Sequence, residues 1–274
     1  MELTKEFIAV EKKFAELGLE LTEAEKSNLN EVTENVWKIY GEQYALNGIS
    51  KTAYVQYTEN NVKVNSLFRH YYGEGGELAP TEEEYKTFFQ DNYDRTRFIR
   101  FTKNELDSMT EEERAEAAEK LEEGESLPKS GRERAEEVVT RAQAGENFLD
   151  LIAEVEKENL AEGEELHSHE DETIHDNLIR KDDPAYPALY REKTHEMKPG
   201  DIQIIEDGNY YYVAQKLELD PTGETFTTVK DQLLIQMKGE EFETTIAQWV
   251  SELTDLEVNQ KAVERYAVDK IRLG

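Results

Sequence analysis

The 274-residue sequence predicts a mostly helical α+β protein. Both ends of the chain place apolar residues at helical spacing. From Thr96 the period changes to two, and Asp207-Gly208 stands between two apolar runs, a strong hairpin signal. Helices that carry aromatic stripes cannot bury them alone, so the two helical ends are expected to pack together with the mixed segment between them.

Phe7, Val10, Phe14 and Leu17 predict the first helix. Thr22 with Glu25 forms a capping box that opens a second, carrying Leu29, Val32, Val36 and Ile39 until Asn47-Gly48 interrupts it. Ser50 can cap a third helix with the stripe Val64, Leu67, Phe68 and Tyr71, which ends at Gly73-Glu74-Gly75-Gly76. Pro80 and Thr81 with Glu84 start a fourth bearing Tyr85, Phe88, Phe89 and Tyr93. The strand that follows sets Arg97, Ile99 and Phe101 on one side and Thr96, Phe98 and Arg100 on the other.

Residues 103–130 are rich in Glu, Lys and Ala, contain a capping box at Thr110 and Glu113, and read as an exposed helical insertion. Ala135, Val138, Val139 and Ala142 predict one helix. Phe148, Leu151, Ile152 and Val155 predict the next, with Gly145 between them. Residues 157–183 are polar and without period, and read as a mobile loop. A short helix around Leu189, a hairpin from Ile202–Ile205 to Tyr210–Leu217, and a long helix with Val229, Leu233, Met237, Phe242, Ile246, Trp249 and Val250 complete the chain.

Lys and Arg number 32 against 62 Asp and Glu, a net charge of -30. Nucleic-acid affinity comes from cationic side chains that displace counterions, so nucleic acid is an unsuitable partner, and anionic membranes are disfavoured for the same Coulombic reason. No run approaches the length of a membrane span. With no cysteine, disulfides, thiolate nucleophiles and cysteine-bound zinc are excluded. Neither Gly-x-Ser-x-Gly nor His-Glu-x-x-His occurs, and Gly73 to Gly76 lacks the lysine and strand context of a phosphate loop. His167, His169, Glu170, Asp171 and His175 could offer metal ligands, but a loop that supplies no second shell favours a solvated reading, and no metal or cofactor is expected.

The run Ala144-Gly145-Glu146-Asn147-Phe148-Leu149-Asp150-Leu151-Ile152-Ala153, followed by Met197-Lys198-Pro199-Gly200-Asp201-Ile202 and a tyrosine-rich strand, resembles the body of a parvulin-type peptidyl-prolyl isomerase. The helical, aromatic flanks resemble those of the extracytoplasmic foldase chaperones of the PrsA and SurA type. In that family the first strand commonly reads Ala-Arg-His-Ile-Leu and the last hairpin Gly-Tyr-His-Ile. The matching segments here read Thr96-Arg97-Phe98-Ile99-Arg100 and Asn209-Tyr210-Tyr211-Tyr212. Phe98 thus takes the first histidine position and Tyr211 the second, with Tyr210 as the alternative one residue away. The family's glycine-rich pocket segment and its Met and Phe have no match between Glu156 and Glu196.

The resemblance implies a chaperone part over residues 1–94, a βα3βαβ2 domain over 95–218 with the insertion 103–130, and a helix over 219–274 that packs back on the first part. It implies unfolded or partly folded protein clients, a bacterial cell-surface location with room for a lipid anchor upstream, and compatibility with a homodimer. Without the paired imidazoles, isomerase activity is expected to be weak or absent; an active isomerase using Tyr211, and a scaffold without clients, are the alternatives. Trp37, Tyr40, Phe68, Tyr71, Tyr72, Phe242 and Trp249 are the candidate client-binding aromatics, because a cradle for varied chains needs apolar surface beyond its own core.

Overall fold

The computed structural model describes residues 2–122, 125–161, 173–254, 256, 257, 259, 261 and 264. Among these the chain divides into two compact units: residues 1–85 with 228–274, and residues 86–227.

The first unit is helical. α1 (Glu2–Glu16) buries Ala9, Val10 and Phe14 on one face and stops where Gly18 adopts φ +64, a left-handed turn that side chains resist. In α2 (Glu23–Leu46) the predicted capping box is present: Thr22 Oγ1 accepts from Glu25 N at 3.2 Å, and the Glu25 carboxylate accepts from Thr22 N at 2.7 Å. Ser50 caps α3 (Lys51–Tyr72) as expected. α1 and α3 are joined by a polar clasp in which Asn60 Nδ2 donates to the Phe7 carbonyl and to Glu11, while Lys63 donates to Glu11. The stretch of α9 (Glu224–Ser251) that belongs to this unit lays Phe242 against Phe68 and Tyr72, at ring distances of 5.4 and 6.0 Å.

The second unit is built on a four-stranded antiparallel sheet of order β2-β1-β4-β3. α4 (Glu82–Asn92) leads into β1 (Tyr93–Thr102). A 3-10 turn (Glu105–Ser108) and the helices α5 (Glu111–Ala118), α6 (Gly131–Gln143) and α7 (Phe148–Glu158) come before β2 (Asn177–Arg180). Then follow α8 (Ala188–Glu196), β3 (Ile202–Asp207) and β4 (Tyr210–Lys216). Strand, three helices, strand, helix and two strands is the order that the resemblance implied. The hairpin turns at Gly208, whose φ of +53 supplies the left-handed residue a two-residue loop requires.

Alternation gives the sheet two faces. Ile99, Phe101, Tyr211 and Val213 pack with Ala135 and Val138 of α6 and Phe148, Leu151 and Ile152 of α7. Ile179, Ile205, Tyr212 and Ala214 pack on the opposite side with Tyr190 of α8 and with Met197. Each fully buried large side chain in such a cluster contributes roughly 1.5–3 kcal/mol.

Two expectations are corrected. Tyr93 is the first residue of β1, paired with Arg180, although it follows Phe89 at helical spacing. Its ring does contact Phe89 at 5.4 Å, so the four-residue spacing marked a real contact across a change of backbone. The polar stretch 157–183 contains β2, whose only buried side chain is Ile179, too little apolar character to betray a strand.

Candidate functional site

β1 and β4 pair antiparallel from Thr96 to Thr102, and this register sets which side chains share a face. Register places Phe98 opposite Ala214 and Arg100 opposite Tyr212, so these side chains share a face, while Tyr211, opposite Phe101, points to the other. Phe98 and Tyr211 are therefore separated by the sheet. The ring beside Phe98 is Tyr212, at 5.7 Å. Tyr210, the alternative, shares the face and touches Tyr212 at 6.1 Å, but it stands opposite Thr102, at the far end of β1 from Phe98.

Around Phe98 the face is filled with rings. Tyr190 lies edge-on to Phe98 at 5.6 Å and touches Tyr212 at 5.2 Å, and Tyr186 stacks on Tyr190 at 6.0 Å. The Tyr190 hydroxyl shares a 3.1 Å hydrogen bond with Thr96, both residues fully buried, and Tyr186 donates to Asn177 at 3.0 Å. Burial raises the Tyr190 phenol above its ordinary range, more than the bond from Thr96 lowers it, so the group stays neutral at physiological pH. A neutral phenol already engaged with Thr96 is not a base.

Below the rings is a buried ion pair that no sequence motif announced. Lys216 donates to Asp94 and, at 2.9 Å, to the Thr194 carbonyl, while His195 Nδ1 lies 3.1 Å from Asp94. The Lys216 and Asp94 side chains are each 7% exposed. The cluster ties the C-terminal turn of α8 to β1 and β4, and thereby fixes Tyr190 over Phe98. On the other face the partly exposed Arg95 and Arg97 share the carboxylate of Asp176, which precedes β2. Neither acid could have been found from sequence, because their partners lie 79 to 122 residues away.

A cleft of about 690 Å³ opens beside this face, lined by Phe98, Arg100, Ile152, Val155, Leu160 and His175 among others. β2 pairs with β1 only as far as Thr96, and beyond that residue β1 has no strand partner on this side among the described residues. His167, His169, Glu170 and Asp171 lie outside the described residues. Among those described, no group of three His, Cys, Asp or Glu is arranged to hold a metal ion.

The candidate aromatics of the helical unit differ in exposure. Tyr72, Phe242 and Trp249 are buried, and Phe68 and Tyr71 are half-buried against Phe242 and Trp249. These five form the α3–α9 core. Burial raises the Tyr72 phenol, whose hydroxyl reaches Glu241 at 3.3 Å. Half-buried Trp37 contacts Tyr44 and Tyr54 and leans over Gly41, where a Cβ would come within 2.8 Å of the indole nitrogen. Tyr40 is 49% exposed at the edge of that cluster.

A second cavity of about 660 Å³ runs between α1, α3 and α9 within the helical unit, lined by Leu3, Phe7, Val10, Tyr57, Val64 and Ile246 among others. Leu3 is 80% and Tyr57 61% exposed at its edges. Sequence reasoning passed over Tyr57, although it precedes Val64 of the recognised stripe by one heptad and so shares its face.

No family model matches this sequence, and no curated protein matches it either. Among solved structures the chain is similar to the foldase protein PrsA from Streptococcus pneumoniae, at 13% identity and a TM-score of 0.45, over 96% of this chain and 88% of that one. It is also similar to the foldase protein PrsA from Lactococcus lactis, at 14% identity and a TM-score of 0.41, over 95% and 85% of the two chains. For the peptidylprolyl isomerase PrsA from Bacillus anthracis the figures are 12% and 0.31, over 93% and 96%.

Proposed function

We propose that the protein is an extracytoplasmic chaperone of the foldase type, which holds apolar segments of unfolded or partly folded proteins on its helical unit and catalyses prolyl isomerisation weakly or not at all. The groove between α1, α3 and α9 supports this most directly: Phe7, Val10, Val64 and Ile246 give it an apolar floor among the polar Thr4, Glu6, Gln56 and Asn61, and the exposed side chains of Leu3 and Tyr57 rim it. The large negative charge keeps loaded complexes soluble by mutual repulsion. Of the candidate aromatics, Tyr40 and Trp37 remain suited to client contact, since the others are occupied in the α3–α9 core. No described helix is long and apolar enough to cross a membrane.

The weak-isomerase half of the reading rests on Phe98. A rotamase must favour a twisted amide over a planar one across a barrier of about 18–20 kcal/mol, which requires a pocket that the substrate can enter. Here the family-equivalent position is packed by Tyr190 and Tyr212.

Light scattering from a chemically unfolded reporter protein diluted into buffer tests the first half. The chain in molar excess is expected to suppress aggregation, and Leu3→Ser with Tyr57→Ser to remove most of that suppression. Unchanged aggregation in the presence of the chain defeats the proposal. A protease-coupled proline-peptide assay tests the second, with no acceleration expected; an acceleration abolished by Tyr212→Ala would instead favour an active isomerase.

A further inference from the structure

The two edges of the sheet are not alike. β2 is four residues long, and the turn after it has Asp183 N donating to the Arg180 carbonyl at 3.0 Å. β3 is longer and bare. Lys216 N donates to the Asp201 carbonyl at 2.9 Å, which fixes the alternation of the ladder: Gln203, Ile205 and Asp207 bond to β4, while the N–H and C=O groups of Ile202, Ile204 and Glu206 point away from it. None of these outward donors and acceptors has a hydrogen-bond partner among the described residues. Edge strands are ordinarily blunted by proline, lysine or a bulge, and Ile202-Gln203-Ile204-Ile205 has none of these.

Donors and acceptors repeated at two-residue spacing are matched by another extended backbone. The side chains of that backbone are specified as well. Ile202 and Ile204 lie half-buried in the α6–α7 layer with Val139 of α6, so residues of an added strand that bond to them fall on the same face and complete that burial. Asp201 and Asp207 stand at the ends, and Glu206 is already taken by Lys103 and Arg132. A second copy pairing antiparallel about Ile204 would set Asp201 against Asp207 twice and bring another charge of -30. Cationic ends would meet the same acids favourably. We infer that β3 accepts an extended segment of another polypeptide as a fifth, antiparallel strand, with apolar residues alternating on the α6 side and a basic residue at each end. The site belongs to the sheet unit and does not depend on the groove of the helical unit.

The test uses the full chain and the fluorescein-labelled peptide Lys-Val-Thr-Val-Thr-Val-Lys, read by fluorescence anisotropy. With its central valine opposite Ile204, its lysines stand opposite Asp201 and Asp207. Saturable binding is expected. N-methylation of the valines removes the donors aimed at β3 and should weaken binding at least about tenfold, whereas N-methylation of the threonines, whose donors face away, should change it less than about threefold. In the protein, Ile204→Pro deletes an outward N–H that β4 does not use, and should weaken binding at least about tenfold. Replacing both lysines by glutamate should abolish it. Leu3→Ser with Tyr57→Ser should leave strand binding unchanged, so that its failure and failure of the client groove can be told apart. Equal losses from the two N-methylated peptides overturn the assignment, as does the absence of binding by the parent peptide or full-strength binding to Ile204→Pro. A dimer, seen by sedimentation, that dissociates on Ile204→Pro would give the edge to a second copy and likewise overturn it.

Discussion

On one face of the sheet Ile99, Phe101, Tyr211 and Val213 meet apolar side chains of α6 and α7, and the charged Arg97 and Asp176 stand at the margin of that layer. On the other face Thr96, Phe98 and Tyr212 meet a tyrosine-bearing helix, over an ion pair that is itself buried. The same four strands thus support one layer whose cohesion is non-directional burial and another that depends on named partners. The second layer contains Phe98, enclosed by Tyr190 and Tyr212. There the partners fix α8 over the Phe98 ring, and the cleft opens only beside it.

Removing one member of the buried pair is the sharpest way to break this contrast. Lys216→Met leaves the Asp94 carboxylate buried without its cation and is expected to cost about 3–5 kcal/mol. The double change Asp94→Leu with Lys216→Met removes both charges and is expected to come within about 1.5 kcal/mol of the parent or to exceed it. Trp37 and Trp249 both lie in the helical unit, so hydrogen exchange of β1 and β4 amides in urea is the suitable readout. If the single variant proved as stable as the parent, the pair would not organise the face.

The apolar layer should respond to volume alone. Leu151, 1% exposed, packs against Ile99 and Phe101, and Leu151→Ala is expected to cost about 2–5 kcal/mol through lost burial and a residual cavity, without any dependence on pH or salt. A marked salt dependence of that loss in the same exchange experiment would show that the two faces are not energetically distinct.

Local signals in the sequence reached most of this fold. Capping boxes at Thr22 and Thr110, the alternation after Thr96 and the Asp207-Gly208 turn each act within a few residues, and each is present. What sequence could not supply depends on register and on distance. β2 is four residues long with one buried side chain, and the partners of Asp94 and Asp176 are brought together only by the finished sheet. Tyr210, Tyr211 and Tyr212 are chemically identical, so only strand pairing decides which one stands beside Phe98.

Alkaline titration reaches both faces, through Tyr211 on the α6–α7 side and more strongly through Tyr190 on the other, since burial raises both phenols. The Tyr190 phenol is raised above the ordinary value of 10.0, first by burial, so the neutral form is the one the fold favours. The stability this gives is fully present below about pH 10 and is lost as the pH rises above that value, because the unfolded chain then ionises more readily than the folded one. Tyr190→Phe should cost about 1 kcal/mol at pH 7, where the Thr96 hydroxyl loses its partner, and should flatten the decline in stability above pH 10. An identical alkaline decline in parent and variant would assign it to other groups.

The smallest expected effect concerns a flaw in the apolar layer. Gln215 follows Val213 on that face, and its Oε1 is buried without a hydrogen-bond partner among the described residues. A desolvated acceptor that gains nothing in return costs about 1–3 kcal/mol. Gln215→Met keeps the length of the side chain and removes the acceptor, at the expense of whatever the amide nitrogen contributes. The expected net result is a gain of about 1 kcal/mol in the exchange stability of β4, in contrast to the loss that any single substitution at Asp94 or Lys216 should bring on the opposite face. Should Gln215→Met destabilise the sheet instead, the amide must be satisfied in solution, and the layer over α6 and α7 would also depend on a directional contact.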